Sequence, residues 1–320
     1  MKVRFVVFLL LLAWAAMVLV PGLSGAAEKV KIGIALRTHA VFVMPMLAAQ
    51  EKGFWKQQGL DAEWLAFRGG AALGQAAAAK AIHMGMTGVA GTVRAITRKL
   101  PVTIVYHPGV ANDFGIWVLT NSPVKKPADL RGKKIDVTRR GGTSYSYATA
   151  VARTLGFGKD VRLTAAGGIR SQLAALKSGA VDAAMITLFA IAPLVVRGEV
   201  REVLHMVDFL PKPWMSRVVY SRKDFLAKNP DSVGKMVKSL LQATKFVMEN
   251  RDWTIGKMKS YSKYPPKAAE LLYPKLIYSK DGRIDPKALN NVRQFLLDYK
   301  VIPAADAIPA KDMYTNQFTG

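Results

Sequence analysis

Short apolar segments alternate with helical ones through most of the chain. In the first half, strands are predicted near residues 30–36, 61–67, 81–87 and 102–106, with helical segments between them that include 71–80 and 91–100. Apolar and acidic residues alternate from Leu60 to Trp64, as in a strand with one solvated face. This β-α-β-α-β order predicts a mainly parallel sheet covered by helices.

Proline and glycine mark where the helices and strands of this first half begin and end. Pro45 suits the first turn of a helix, and Gly53 and Gly59 suit the left-handed ends of two short helical segments. Arg68-Gly69-Gly70 then turns the chain from a strand into the alanine-rich helix. A strand that leads into a helix N-terminus is a geometry that binds anions.

The second half repeats this order after a polar, proline-bearing stretch at 121–129, where we place a domain crossing. An extended segment is predicted at 114–120, strands at 134–138, 161–165 and 181–187, and helices at 144–155 and 171–178. These form a second short parallel sheet. Residues 217–221 are predicted to be a strand that returns to the first lobe, and helices are predicted over 232–250 and 252–300.

The first 27 residues have the pattern of a cleaved secretory signal. Lys2 and Arg4 precede an apolar run from Phe5 to Val20, which is short for a membrane span of about 20 residues. Small residues follow, so we expect cleavage near Ala26 or Ala27. The chain has no cysteine, which excludes disulfides, thiol catalysis and a lipid-modified cysteine at the cleavage site. We therefore expect a periplasmic protein without a lipid anchor.

The charge balance favours anionic partners. Lysine and arginine number 46 against 22 acidic residues, so the formal net charge is +24. Nucleic acid is not an expected partner, because an exported chain rarely meets it and no nucleic-acid-binding motif is present. The lysines are dispersed along the chain, which is typical of a solvated surface that can attract an anionic solute or lipid headgroups.

Several motifs, in their order and spacing, resemble the periplasmic solute-binding components of ABC transporters, in the superfamily that binds sulfonates, taurine, nitrate and thiamine-pyrimidine precursors. They are EKGFW (51–55), GLDAEW (59–64), Gly69-Gly70, MGMTG (84–88), LRGKKIDV (130–137) and SGAVDAAM (178–185). Where relatives often have an acidic residue before the MGMTG-like turn, this chain has Ala81-Ile82-His83. This departure affects either local packing or ligand choice.

The resemblance implies a type II periplasmic-binding-protein fold, an α/β architecture in which two lobes with mainly parallel sheets are joined by two crossing strands. The expected lobes are 28–113 with 222–320, and 114–221 with the hinge strands. The resemblance also implies that a solute is captured in the cleft between the lobes and passed to an ABC permease in the inner membrane. We expect a monomer that needs no cofactor.

The loops after the strand ends are the expected ligand site, because such sheets bind ligands beyond the carboxyl ends of their strands. Arg68 and Arg139 stand beside glycine-led helix starts on opposite lobes, and guanidinium groups can grip a carboxylate or sulfonate in bidentate fashion. Strand-end hydroxyls and aromatic walls complete the predicted pocket. The candidates are Arg37, Thr38, His39, Phe42, Arg68, Gly69, Gly70, Thr87, Gly88, His107, Arg139, Gly141, Gly142, Thr143, Ser144, Tyr145, Thr187 and Trp214.

The predicted solute is therefore a small organic anion, a carboxylate or sulfonate, with an apolar or aromatic body. Two alternatives stay open: a heterocycle resembling a thiamine precursor, and a periplasmic sensor subunit that uses the same cleft. Catalysis is not expected, because no nucleophile has a nearby base evident in the sequence. A metal site is not expected either, because the four histidines show no HxxxH or HxH spacing.

Overall fold

In the computed structural model, which describes residues 28–109 and 112–320, ten strands form two mixed sheets of five strands each. The predicted signal peptide at 1–27 lies outside the described residues. Sheet 1 contains β1 (Glu28–Ile34), β2 (Leu60–Ala66), β3 (Met84–Gly88), β4 (Val102–Tyr106) and β10 (Arg217–Arg222). Sheet 2 contains β5 (Phe114–Leu119), β6 (Lys134–Val137), β7 (Arg162–Ala165), β8 (Ala183–Thr187) and β9 (Val200–His205).

Both sheets share one topology. Sheet 1 has the order β2-β1-β3-β10-β4 and sheet 2 the order β7-β6-β8-β5-β9. In each, one strand runs antiparallel to its two neighbours: β10 between β3 and β4, and β5 between β8 and β9. The remaining pairs are parallel. The prediction of two α/β lobes with mainly parallel sheets is confirmed, although the sequence did not indicate β9.

The antiparallel strand of each sheet comes directly after a crossing between the two halves. The chain leaves β4 and enters sheet 2 as β5, and it leaves β9 and returns to sheet 1 as β10. We call sheet 1 with its helices the first lobe and sheet 2 with its helices the second lobe. The strand predicted at 217–221 is β10, and it lies in the first lobe.

Helices cover both sheets. The first lobe contains α1 (Ala40–Glu51), α2 (Phe54–Gln57), α3 (Gly70–Ala78) and α4 (Val89–Thr97), and the second contains α5 (Thr143–Thr154), α6 (Ile169–Lys177) and α7 (Leu188–Val195). The carboxyl third adds α8 (Lys223–Lys228), α9 (Pro230–Glu249), α10 (Arg251–Ser260), α11 (Pro266–Leu272) and α12 (Pro286–Asp298). Short 3-10 turns lie between several of these elements.

Pro45 lies inside α1 and not in its first turn, so that prediction is wrong. A proline has no N–H to donate to the carbonyl four residues earlier, which here belongs to Val41. The hydroxyl of Tyr278 donates to that carbonyl instead, at 3.0 Å. Because the carbonyl is satisfied from outside the helix, α1 continues through the proline. Gly53 and Gly59 adopt the predicted left-handed conformation, with φ of 71° and 69°.

The carboxyl-terminal helices link the two lobes. The Phe295 ring of α12 contacts Tyr147 of α5 at 6.4 Å and Trp214 of the second crossing at 5.4 Å between centroids. Asn291 of α12 donates a hydrogen bond of 2.8 Å to the Pro213 carbonyl. None of the helices in the described part of the chain has the length and apolar character that a membrane span requires.

Candidate functional site

A cavity of about 40 Å³ lies where the carboxyl ends of the central strands of both sheets meet. The first lobe contributes Gly70 and Thr87, and the second contributes Thr143 and Thr187. This volume has room for about two or three water molecules. An organic anion therefore fits only when the spacing between the lobes is wider.

Several predicted site residues line this cavity together. They are Phe42, Gly69, Gly70, Thr87, Gly88, Thr143, Ser144 and Thr187. They come from five separate strand-to-helix connections, which supports the expectation that the loops after the strand ends converge on one rim.

Five helices begin at the cavity. The N-cap residues of α3, α4, α5 and α6 are glycines at positions 69, 88, 142 and 168, and the N-cap of α7 is Thr187. A glycine has no side chain with which to cap a helix, and Thr187 makes no cap hydrogen bond. The positive ends of five helix dipoles therefore point at one small space without side-chain caps from their own N-cap residues.

The glycines also allow close packing at this rim. A Cβ on Gly70 would lie 2.6 Å from the Thr87 hydroxyl oxygen, which is too close for any larger residue. Gly69 has a φ of +106°, a conformation that favours glycine. The turn from β2 into α3 thus requires glycine at both positions.

Thr143 of α5 contacts α4 across the boundary between the lobes, which we call the α4–α5 seam. Its hydroxyl oxygen accepts a hydrogen bond of 3.1 Å from the backbone N–H of Gly91 in the first turn of α4. A Cβ on Gly88 would lie 2.3 Å from the same oxygen, so the approach depends on glycine at that position too. A second-lobe side chain thus occupies part of a first-lobe helix N-terminus.

His39 joins the lobes on the other side of the cavity. Its Nε2 atom lies 2.9 Å from the Thr187 hydroxyl and 3.6 Å from an oxygen of Asp113, and its ring stacks on Phe189 at 5.1 Å. The side chain is 1% exposed, and burial lowers the pKa of His39, while the hydrogen bond with Asp113 acts to raise it. The ring is therefore held neutral near pH 7.

A buried ion pair joins the two crossings. Arg217, at the start of β10, binds Asp113, which lies just before β5, and both are nearly fully buried. Burial alone would raise the pKa of the Asp113 carboxyl, but Arg217 and the hydrogen bond with His39 hold it well below its usual range. The carboxylate also accepts the N–H of Phe189 at 3.4 Å. Asp113 thus connects both crossings to the start of α7.

The other predicted site residues lie outside the cavity lining. Arg37, Thr38 and Arg68 are exposed on the first lobe, and Arg139 is half-buried in the turn before α5. In the same turn, Gly141 has a φ of +89° and Gly142 is the N-cap of α5. None of these three arginines lines the cavity in this structure.

Three further candidates pack between elements. Tyr145 lies beneath the Arg94 guanidinium, at 5.6 Å from ring centroid to the guanidinium carbon. Trp214 donates a hydrogen bond of 3.2 Å to the Tyr147 hydroxyl. The His107 backbone N–H donates to the Gly282 carbonyl, and burial lowers the pKa of the His107 ring.

The sequence analysis missed several residues that the cavity uses, chiefly Arg217, with Ala35, Leu36, Phe114, Thr138, Ile169, Met185 and Ile186. Arg217 could have been identified from the sequence, since it is a charged residue directly before the apolar run Val218 to Tyr220. The apolar residues carry none, because a cavity wall and a core position look alike in sequence. Among the described residues, no three or more histidine, aspartate or glutamate side chains form a group that could hold a metal ion.

The profile of the NMT1/THI5-like family matches residues 41–253. The taurine-binding periplasmic protein of Escherichia coli K12 is 27% identical to this chain over 241 residues, which cover 74% of this chain and 72% of that protein. These matches confirm the resemblance described above.

Among solved structures, the alkanesulfonate-binding protein SsuA of Xanthomonas axonopodis pv. citri, bound to MOPS, aligns with a TM-score of 0.78 at 18% identity. The alignment covers 91% of this chain and 100% of that one. The desulfurization enzyme DSZB aligns with a TM-score of 0.63 at 17% identity, covering 91% and 97%. At these identities the likeness shows a shared fold, which serves both a binding protein and an enzyme.

Proposed function

This chain belongs to the NMT1/THI5-like family, and from that premise we propose that it is the periplasmic solute-binding component of an ABC importer that captures a small organic anion, a carboxylate or a sulfonate. The protein acts by binding, as a monomer, and needs no cofactor. Its division into lobes at 28–113 with 222–320 and at 114–221 is part of the proposal, with the crossings as hinges and with one change: β10 belongs to the first lobe, because it pairs with β3 and β4.

The convergence of five helix N-termini on one cavity carries this proposal. Each terminus presents a partial positive charge, worth typically about 0.3–1 kcal/mol to an anion. The first-turn N–H groups of α3, α5 and α6 are available as well, whereas at α4 and α7 Thr143 and Asp113 already accept some of them. The termini come from both lobes, so an anion seated among them would bridge the cleft. None of the residues described as lining the cavity is acidic, and Arg217 lies in the wall.

The name of the Escherichia coli relative supports the same solute class, since taurine carries a sulfonate. The high basic charge of this chain would also attract an anion over distances of about 10 Å. Arg37, Arg68 and Arg139 suit this role at the mouth of the cleft, where a guanidinium is exposed or half-buried.

The mechanism follows from the size of the cavity. The solute enters while the lobes stand apart, contacts the helix N-termini of one lobe, and gains the contacts of the other when the lobes close around it, at a spacing wider than in this structure. Because the closed form makes more contacts with the solute, binding shifts the population toward it, and the permease recognises that form.

Calorimetric titration of the mature protein tests the proposal. The solutes are a series of alkanesulfonates, carboxylates of matched length and a neutral pyrimidine. We expect heat of binding with at least one anion series and none with the pyrimidine. Gly70→Ala fills the rim beside Thr87 and should weaken anion binding by about tenfold or more, since several N–H contacts are lost together.

Gly74→Ala is the matched control, because it is the same change on the same helix and its added Cβ meets only ordinary contact, at 3.8 Å. Thermal melting of both variants checks that they remain folded. Binding of no anion by the wild-type protein, or equal affinity in Gly70→Ala and wild type, would contradict the proposal.

Phe42 and Phe114 in the cavity wall favour one alternative, a flat heterocycle resembling a thiamine precursor, which would stack on these rings. Binding of the pyrimidine in the same titrations, with no anion bound, would establish it. A sensor subunit would use the same cleft, and a neighbouring gene for a membrane kinase in place of permease and ATPase genes would favour that role.

A further inference from the structure

The α4–α5 seam contains a second cluster of cationic groups outside the cavity lining. Arg94 of α4 reaches across to the second lobe, where its Nη1 atom lies 2.7 Å from the position of a Cβ on Gly141. Its guanidinium also lies over the Tyr145 ring. The guanidinium of Arg94 therefore lies between the 139–142 turn and the first turn of α5.

The charge of Arg94 has no acidic partner within ion-pair distance among the residues that the structure describes. Burial lowers the pKa of Arg94, and the nearby charge of Arg98 lowers it further. A partly buried cation without a counterion is an unfavourable arrangement unless an anion joins it.

Two guanidinium N–H groups beside this seam also lack an acceptor among the described residues. The Nε atom of Arg94 is buried and lacks a hydrogen-bond acceptor among the described residues, and the same holds for the Nε atom of Arg139 in the facing turn. A buried donor without an acceptor is costly, and the Arg94 guanidinium already reaches the turn that contains Arg139, so one acceptor placed there could serve both.

We propose that Arg94 and Arg139 bind an inorganic oxyanion, sulfate or phosphate, at this seam, and that the anion holds the lobes together. A tetrahedral oxyanion has enough oxygens to accept from both guanidinium groups at once. Because one arginine belongs to each lobe, the complete site exists only when the lobes are closed. The anion thus stabilises the closed form in addition to the transported solute.

Titration with sodium sulfate, and separately with sodium phosphate, tests this site without any organic solute. Sodium chloride at matched ionic strength is the reference. We expect sulfate or phosphate to bind the wild-type protein and to reduce its radius of gyration in small-angle scattering. Arg94→Gln and Arg139→Gln should each weaken this binding by about tenfold or more, the usual effect of losing a charge-assisted hydrogen bond.

Arg98→Gln is the matched control, because it removes the same charge from an exposed position four residues further along the chain. Because the charge of Arg98 acts on Arg94, this variant should weaken oxyanion binding slightly, and much less than Arg94→Gln does. Arg94→Lys keeps the charge and loses the Nε donor, and we expect it to bind weakly as well. Wild-type affinity in both Arg94→Gln and Arg139→Gln would overturn the inference, as would equal weakening by Arg98→Gln.

Oxyanion titration of the Gly70→Ala variant distinguishes a failure of this inference from a failure of the proposed function. Oxyanion binding that is lost in Gly70→Ala and retained in Arg94→Gln would place the ion in the cavity and overturn the seam site. Binding that is lost in Arg94→Gln and retained in Gly70→Ala supports the seam site, even where no organic anion binds and the proposed function fails.

Discussion

The hydroxyl oxygen of Thr143, on the second lobe, lies 3.1 Å from the backbone nitrogen of Gly91, on the first lobe, and accepts its hydrogen bond. The hydroxyl thus occupies a helix N-terminus in the way that a ligand oxygen would. The protein thereby supplies part of its own contact across the cleft, so lobe closure should depend in part on this side chain.

Thr143→Val should shift the lobes toward an open arrangement. Valine has the shape of threonine without the hydroxyl, so the Gly91 N–H loses its acceptor and closure loses about 0.5–1.5 kcal/mol. Small-angle scattering should report a larger radius of gyration. Thr143→Ser keeps the hydroxyl and should scatter like the wild type, whereas identical scattering by all three proteins would contradict this role.

Gly88→Ala should prevent full closure. The added Cβ would lie 2.3 Å from the Thr143 hydroxyl oxygen and 2.9 Å from its Cβ, distances that real Cβ atoms do not show. We expect solute affinity to fall by about tenfold or more while the melting temperature of each lobe changes little. In a Thr143→Gly background the clash is absent, so Gly88→Ala should cause no further loss of affinity there. An equal loss in both backgrounds would argue against a steric cause.

Removing one partner of the Asp113–Arg217 pair should destabilise the fold strongly. Breaking a buried ion pair leaves an uncompensated charge and typically costs about 3–5 kcal/mol. Urea unfolding of Asp113→Asn, Arg217→Met and the double variant measures this. We expect the double variant to lose less than the two single losses added together. Strict additivity would mean that the two side chains do not act as a pair.

His39 should make the free energy of unfolding depend on pH below neutrality. Burial lowers the pKa of His39, so the unfolded chain binds a proton near pH 6.5 that the folded chain does not. Stability is then complete above about pH 6.5 and decreases as pH falls from there toward the folded pKa. His39→Gln cannot titrate at this position and should show a shallower decrease in urea unfolding between pH 7.5 and 5. Parallel curves would contradict the assignment.

Tyr278→Phe should cost about 1 kcal/mol, because the Val41 carbonyl loses the donor that replaces the missing N–H of Pro45. In a Pro45→Ala background the helix provides its own donor, so the same tyrosine change should cost less. A double-mutant cycle in urea unfolding measures the difference. Equal cost in both backgrounds would show that the tyrosine hydroxyl does not compensate for the proline.

Local sequence patterns predicted most of the framework. Strand β4 lies where it was predicted, and the predicted strand at 134–138 is one residue longer than β6. The elements that were not predicted, β9, α7 and α8, are short. Strand β9 mixes charged with apolar residues, and α7 follows Thr187 in an almost uniformly apolar run, so neither shows a clear period.

The position of Pro45 inside α1 could not be predicted from the sequence around it. A proline favours a helix start because its missing N–H is unneeded there. The donor that makes it tolerable inside α1 comes from Tyr278, more than 200 positions later in the chain. No local pattern contains that information, because the compensating contact forms only when the carboxyl third packs on the first lobe.

The site divides in the same way. The sequence by itself determined the strand-to-helix connections with glycine starts, including Gly69, Gly88 and Gly142, because turn geometry and helix capping are local. Only the tertiary structure decided that these starts share one cavity, that Arg217 enters its wall beside Asp113, and that Thr143 meets Gly91 across the seam. Those relationships join residues from two sheets, and such distances are set by packing between lobes and not by the order of residues along the chain.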